Sequence, residues 1–177
     1  MHGATGPANL SSLQREEITE LSRNLPQLYR FCFLMTGGAA KALEAFQNTL
    51  REAALLAARR QLPDDRLWCF HEARHQCIAL AQADVQPEIA TVPEESISAD
   101  AAALVRRLEP AQLAAWIAAA PEPQRSALAY FYLNEFSHRE MQNLLDVKME
   151  ELAGLISHGR AQFQAWLNTI ADELPTR

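Results

Sequence analysis

His71–Glu72–Ala73–Arg74–His75 has the residue types and spacing of a hydrolytic metal motif. On a helix, residues four apart share a face. Two imidazoles so placed can hold Zn²⁺ while Glu72 acts as general base on a bound water. A third ligand is needed, and Glu94 or Glu95 stands at a tolerable distance along the chain. Three features weigh against this chemistry. Arg74 would set a cation beside the dication, both candidate third ligands fall in an irregular acidic stretch, and no strand pattern exists to build a substrate cleft. The preferred reading of this helix is a solvated or nucleic-acid-facing surface, with His71 and His75 as metal ligands only in a distant alternative. There is no Gly-rich phosphate loop and no nucleophile elbow, so neither a cofactor nor an enzyme is expected. Cys32, Cys69 and Cys77 are widely spaced and form no CxxC pair. They read as small buried hydrophobes, not as a disulfide framework or a cysteine zinc site.

The elements that must position these residues are helices. Ala and Leu are abundant, and there are only 6 glycines in 177 residues, which favours helix. With 49% hydrophobic residues the chain can bury a core. No apolar run is long enough to span a membrane, and residues 1–12 lack the basic start and apolar stretch of a secretory signal. The expected location is cytoplasmic. The formal net charge of −6 has the wrong sign for a protein held on nucleic acid by bulk electrostatics.

Apolar spacing divides the chain into three parts. In the first, residues 10–83, Leu21, Leu25, Leu28 and Phe31 or Cys32 make one helical face. Pro26 opens or kinks that helix, and Gly37–Gly38 ends it. A second helix over 39–60 turns Ala42, Phe46, Leu50, Ala53 and Ala57 inward, and a third over 66–83 turns Phe70, Ala73, Cys77 and Leu80 inward. Residues 84–110 read as a linker, with two basic residues against six acidic ones and a short helix near 101–108. In the last part, residues 111–177, Pro110 and Pro123 open helices over 111–120 and 122–133. Ser137 and Glu140 form a capping box for a short helix to Leu145. A long helix then carries Met149, Leu152, Ile156, Phe163, Leu167 and Ile170 inward. Tyr130, Phe131 and Tyr132, like Trp68, Trp116 and Trp166, read as packing residues. A short capped helix, a tight turn and a second helix read either as a helix-turn-helix, which would place the second helix in a major groove, or as an ordinary helical hairpin. The expected fold is therefore all-α, two helical domains joined by an acidic linker.

Several stretches, in order, resemble extracytoplasmic-function sigma factors over roughly residues 20–168. Leu28–Tyr29–Arg30–Phe31, Thr36–Gly37 and Leu43–Glu44–Ala45–Phe46–Gln47–Asn48 resemble the family's first conserved domain. Trp68–Cys69–Phe70–His71–Glu72–Ala73–Arg74 is similar to its Trp-Leu-x-x-Ile-Ala-Arg helix. Ala120–Pro121–Glu122–Pro123–Gln124–Arg125 resembles the start of the second domain, Phe136–Ser137–His138–Arg139–Glu140–Met141 its Leu-Ser-x-x-Glu-Ile helix, and His158–Gly159–Arg160–Ala161 its close. The resemblance implies a first domain that docks on the coiled-coil clamp of the RNA polymerase β′ subunit, with Glu44, Gln47 and Asn48 facing the polymerase. It implies a second domain that reads promoter DNA, and an acidic linker (Asp84, Glu88, Glu94, Glu95, Asp100) suited to a basic channel.

The sequence departs from the family where DNA would be touched. The family's recognition helix typically reads Thr-Val-Lys-Ser-Arg-Leu-His-Arg, and here the stretch is Glu151–Leu152–Ala153–Gly154–Leu155–Ile156–Ser157–His158. Leu152 and Ile156 keep the core positions. Glu150 and Glu151 stand at the helix N-terminus, where free N–H groups otherwise attract phosphate, and they repel it. Leu155 takes a basic position and is a candidate for half-burial against a partner. The remaining DNA-binding candidates are His71, Arg74, His75, Lys148, Ser157, His158 and Arg160, and weak promoter binding is expected. The alternative is a sigma-fold interaction module that binds an anti-sigma factor or other regulator with little DNA binding. It is similar to the sigma-like domain of stress-response regulators, which also carry a receiver domain not found here.

Overall fold

The computed structural model describes residues 12–82 and 107–171 and is helical with no strand among them. The helices are α1 (Ser12–Thr36), α2 (Ala39–Ala58), α3 (Arg66–Gln82), α4 (Pro110–Ala118), α5 (Gln124–Leu133), α6 (His138–Leu145) and α7 (Met149–Ile170). The acidic linker, apart from residues 107–110, and the expected helix near 101–108, apart from its last two residues, lie outside the described residues; those last two are not helical.

Local chemistry accounts for most helix ends. α1 runs unbroken through Pro26, which is exposed, so the proline does not divide it. It stops at Gly37, whose φ of +71° favours glycine. A Cβ there would also meet the Ala118 Cβ at 2.9 Å, so glycine lets the end of α1 approach α4. α4 starts with Pro110 at its first position and a capping box between Glu109 and Gln112. α5 and α6 end on Asn134 and Asp146 in the left-handed region, at φ 58° and 54°, which these two side chains tolerate well. α6 begins with the expected capping box. The Glu140 N–H donates to Ser137 Oγ at 3.3 Å and the Ser137 N–H donates to Glu140 Oε2 at 2.8 Å.

α1, α2 and α3 pack on one another, and α5 packs on α1 and α7. Every α5 residue from Gln124 to Tyr130 is buried, as befits a helix surrounded by others. Tyr130 and Phe31 are both fully buried. Their rings stack with centroids 4.6 Å apart and planes 11° apart. Phe70 meets Phe31 edge-on at 6.0 Å and Phe136 at 4.8 Å, and the Tyr130 hydroxyl donates to the Phe70 carbonyl at 3.2 Å. Edge-on and offset pairs of this kind add about 0.5–1.5 kcal/mol each beyond their burial. One hydrophobic core thus joins α1 and α3 to α5, α6 and the start of α7. Trp116, Tyr132, Phe163 and Trp166 form a second aromatic group binding α4, α5 and α7.

Two inward faces differ from the sequence expectation. On α2 the buried residues are Ala42, Ala45, Thr49 and Ala53. Phe46 and Leu50 sit at the core's edge and Ala57 is exposed. Small residues let α2 lie close against its neighbours, and Thr49 satisfies its hydroxyl by donating to the Ala45 carbonyl at 2.8 Å. On α7 the inward residues are Leu152, Ile156, Gly159, Phe163, Gln164 and Leu167. Met149 is 43% exposed, because it starts the helix beyond the edge of the core. At Gly159 a Cβ would press on Leu128 Cγ at 3.1 Å, so this glycine sets how closely α7 seats on α5.

Candidate functional site

α2 presents the three residues that the sigma resemblance assigns to polymerase. Glu44 and Gln47 are exposed and Asn48 is half-buried. Their spacing places them on the side opposite the Ala42–Ala45–Thr49–Ala53 face. The Asn48 side-chain oxygen accepts from Arg51 Nη1 at 2.8 Å. Leu43 and Leu55, each 47% exposed, border the strip. A polar strip edged by exposed leucines is suited to contact with another protein.

The DNA-binding candidates fall into two groups. α6, the three residues Asp146, Val147 and Lys148, and α7 form a helix-turn-helix in chain order. Lys148, Ser157, His158 and Arg160 are exposed on α7 or at its N-cap. They share the surface with exposed Glu150, Glu151, Ala153 and Gly154. The Arg160 guanidinium lies over the Phe131 ring, 5.9 Å from its centroid. Leu155 is half-buried and packs against the chain's own core. That accounts for its apolar character without a partner.

The second group, on α3, separates. His71 and His75 are exposed with ring centroids 4.3 Å apart. Desolvation, then the His75 and Arg74 charges, hold the His71 imidazole below its usual pKa. Arg74 does not join them in solvent, contrary to the sequence reading. Its side chain is 16% exposed and reaches Glu122 Oε2 at 3.8 Å. Its Nε donates to Ser126 Oγ at 2.9 Å. Ser126 Oγ donates to Glu122 Oε2 at 2.6 Å, and Arg125 Nε donates to Glu122 Oε1 at 2.8 Å. Arg74 is therefore an internal strut between α3 and the start of α5. Sequence reasoning missed this because its partners lie about fifty residues away. The one signal was Arg125, four residues after Pro121 at a family-like position; it is 4% exposed.

The metal motif is only partly assembled. Glu72 is half-buried and its Oε1 accepts from Gln76 Nε2 at 2.7 Å. Among the described residues no three His, Cys, Asp or Glu side chains converge as a metal-binding group. Glu94 and Glu95 lie outside the described residues. All three cysteines are buried thiols. Burial and the Asp65 carboxylate push the Cys69 thiol up to about 11. The Cys77 thiol is also raised, by its contact with the Cys32 thiol and by burial. Thiols held protonated in this way are poor nucleophiles at neutral pH.

A cleft of about 410 Å³ opens where α1 meets α4 and α5. Tyr29, Phe33, Leu113 and Tyr132 wall it, and exposed Arg30 and Glu109 also line it. No helix among the described residues is long and apolar enough to cross a membrane. No protein-family model matches this sequence, and no curated protein matches it.

Proposed function

We propose that this chain is a sigma-factor-like regulator of transcription initiation, acting chiefly through contact with core RNA polymerase and only weakly on promoter DNA. The observation that carries this reading is the exposed α2 strip of Glu44, Gln47 and Asn48, bordered by Leu43 and Leu55. The α6–α7 helix-turn-helix supports it. Glu150 and Glu151 at the start of α7, with Lys148 and Arg160 as its exposed cations, favour a small DNA contribution. Of the α3 candidates only His71 and His75 stay exposed.

The test is capture of purified core RNA polymerase by the immobilised full chain, followed by promoter-dependent transcription at low salt. Capture should weaken at least about tenfold in Glu44→Lys and Gln47→Ala together, since a reversed charge in an interface costs several kcal/mol. Failure to capture core polymerase would overturn the reading. Capture without transcription would restrict it to polymerase binding.

A second reading is favoured by one observation, the apolar cleft at the junction of α1, α4 and α5. It is a sigma-fold interaction module whose partner is an anti-sigma factor or a similar regulator. Binding of such a regulator, lost in Phe33→Asp but not in Glu44→Lys, would move the conclusion there.

A further inference from the structure

His71 and His75 carry chemistry that the polymerase reading does not use. They stand one helical turn apart on the exposed side of α3. Their rings face each other edge-on, with centroids 4.3 Å apart and planes at 68°. A metal ion bound by two imidazoles at about 2.0 Å per bond, with a right angle between the bonds, holds the ring centroids about 4.5 Å apart. The observed spacing is within a few tenths of an ångström of that arrangement. Among the described residues, neither ring is taken up by a hydrogen bond or an ion pair. The neighbours that could interfere are directed elsewhere: Arg74 into the Glu122–Ser126 cluster, and Glu72 to Gln76.

We propose that His71 and His75 form a two-imidazole clamp for a late first-row transition-metal dication, with Cu²⁺ bound most tightly. Two nitrogens in adjacent positions suit the tetragonal preference of Cu²⁺, which also leads the affinity order for nitrogen ligands. Water completes the coordination. The site binds metal and performs no hydrolysis, because Glu72 is held by Gln76 away from a general-base role. Binding spans one turn of α3 and adds positive charge to its exposed side. This inference does not depend on the polymerase reading.

The test uses the full chain carrying His2→Ala, so that this histidine adds no copper site of its own. Titration with Cu²⁺ alone is followed by calorimetry and by electron paramagnetic resonance. One site per chain with two imidazole nitrogens in the Cu²⁺ spectrum is expected. His71→Ala and His75→Ala should each weaken binding at least about tenfold. The decisive variant combines His75→Gln with Gln76→His, which keeps the number of histidines but moves one off the shared face. It should lose affinity as the single variants do, with an unchanged helical circular-dichroism spectrum. Wild-type affinity in that variant, or a single imidazole nitrogen in the wild-type spectrum, would overturn the proposal.

Discussion

Glu122 accepts from Arg125 and Ser126 of its own turn and helix and forms a longer ion pair, at 3.8 Å, with Arg74 of α3. Arg125 is nearly inaccessible at 5% side-chain exposure, whereas Glu122 is 23% exposed. Removing the carboxylate therefore strands a buried guanidinium, a change that typically costs about 3 kcal/mol. Glu122→Ala should lower the urea midpoint strongly. Arg74→Ala should cost less, because its ion pair is longer and lies nearer solvent. Equal effects of the two would contradict this ranking. Arg74 also marks a limit of reading residues from sequence. Its motif position was visible, but its direction was not, because the groups that turn it inward belong to another segment.

At the scale of the helix, the stops and starts were the most legible features. The left-handed turn at Gly37, Pro110 and the Ser137–Glu140 box act through neighbours within a few residues, so the sequence contains their mechanism; the approach of Gly37 to Ala118 of α4 is the part it does not contain. Inward faces were less legible. The 3.6-residue period on α2 was right, but its phase was set by how closely α1 and α3 approach, which favours Ala45 and Thr49 over Phe46 and Leu50. Two predictions belong here. Gly154 is exposed mid-helix in α7 with nothing within 4 Å of an added Cβ. Gly154→Ala should raise stability by about 1 kcal/mol in chemical denaturation. The second concerns acid. The Ser137 N–H holds the Glu140 carboxyl below its usual 4.5, and the Ser137 hydroxyl and Arg66 reinforce this against the opposing effect of desolvation. The stability Glu140 contributes is present above pH 4.5 and is lost as the pH falls from there through its lower folded value. Glu140→Gln should therefore lose stability at pH 7 and show a shallower decline below pH 4.5. A decline parallel to that of the wild type would refute this origin.

Across the whole molecule, the all-helical class followed from composition and periodicity. The joining of the early and late helices through Phe31, Phe70 and Tyr130 did not, because a pattern of apolar spacing does not say which face meets which. An interface so apolar couples what it joins. Urea unfolding should give coincident transitions by far-ultraviolet circular dichroism and by tryptophan fluorescence, since Trp68 lies in α3 while Trp116 and Trp166 lie in α4 and α7. Tyr130→Ala should shift both probes together by about 3–5 kcal/mol. Separated transitions would mean the two helical sets unfold independently.

The sealed thiols of Cys32 and Cys77, at 0% and 1% exposure, make the chain its own stopwatch. A maleimide in native buffer can reach them only when the central helices part, so its labelling rate measures how often that happens. That rate should fall short of the rate in denaturant by the unfolding equilibrium constant measured in urea. Much faster labelling would expose a breathing motion confined to the contact between α1 and α3.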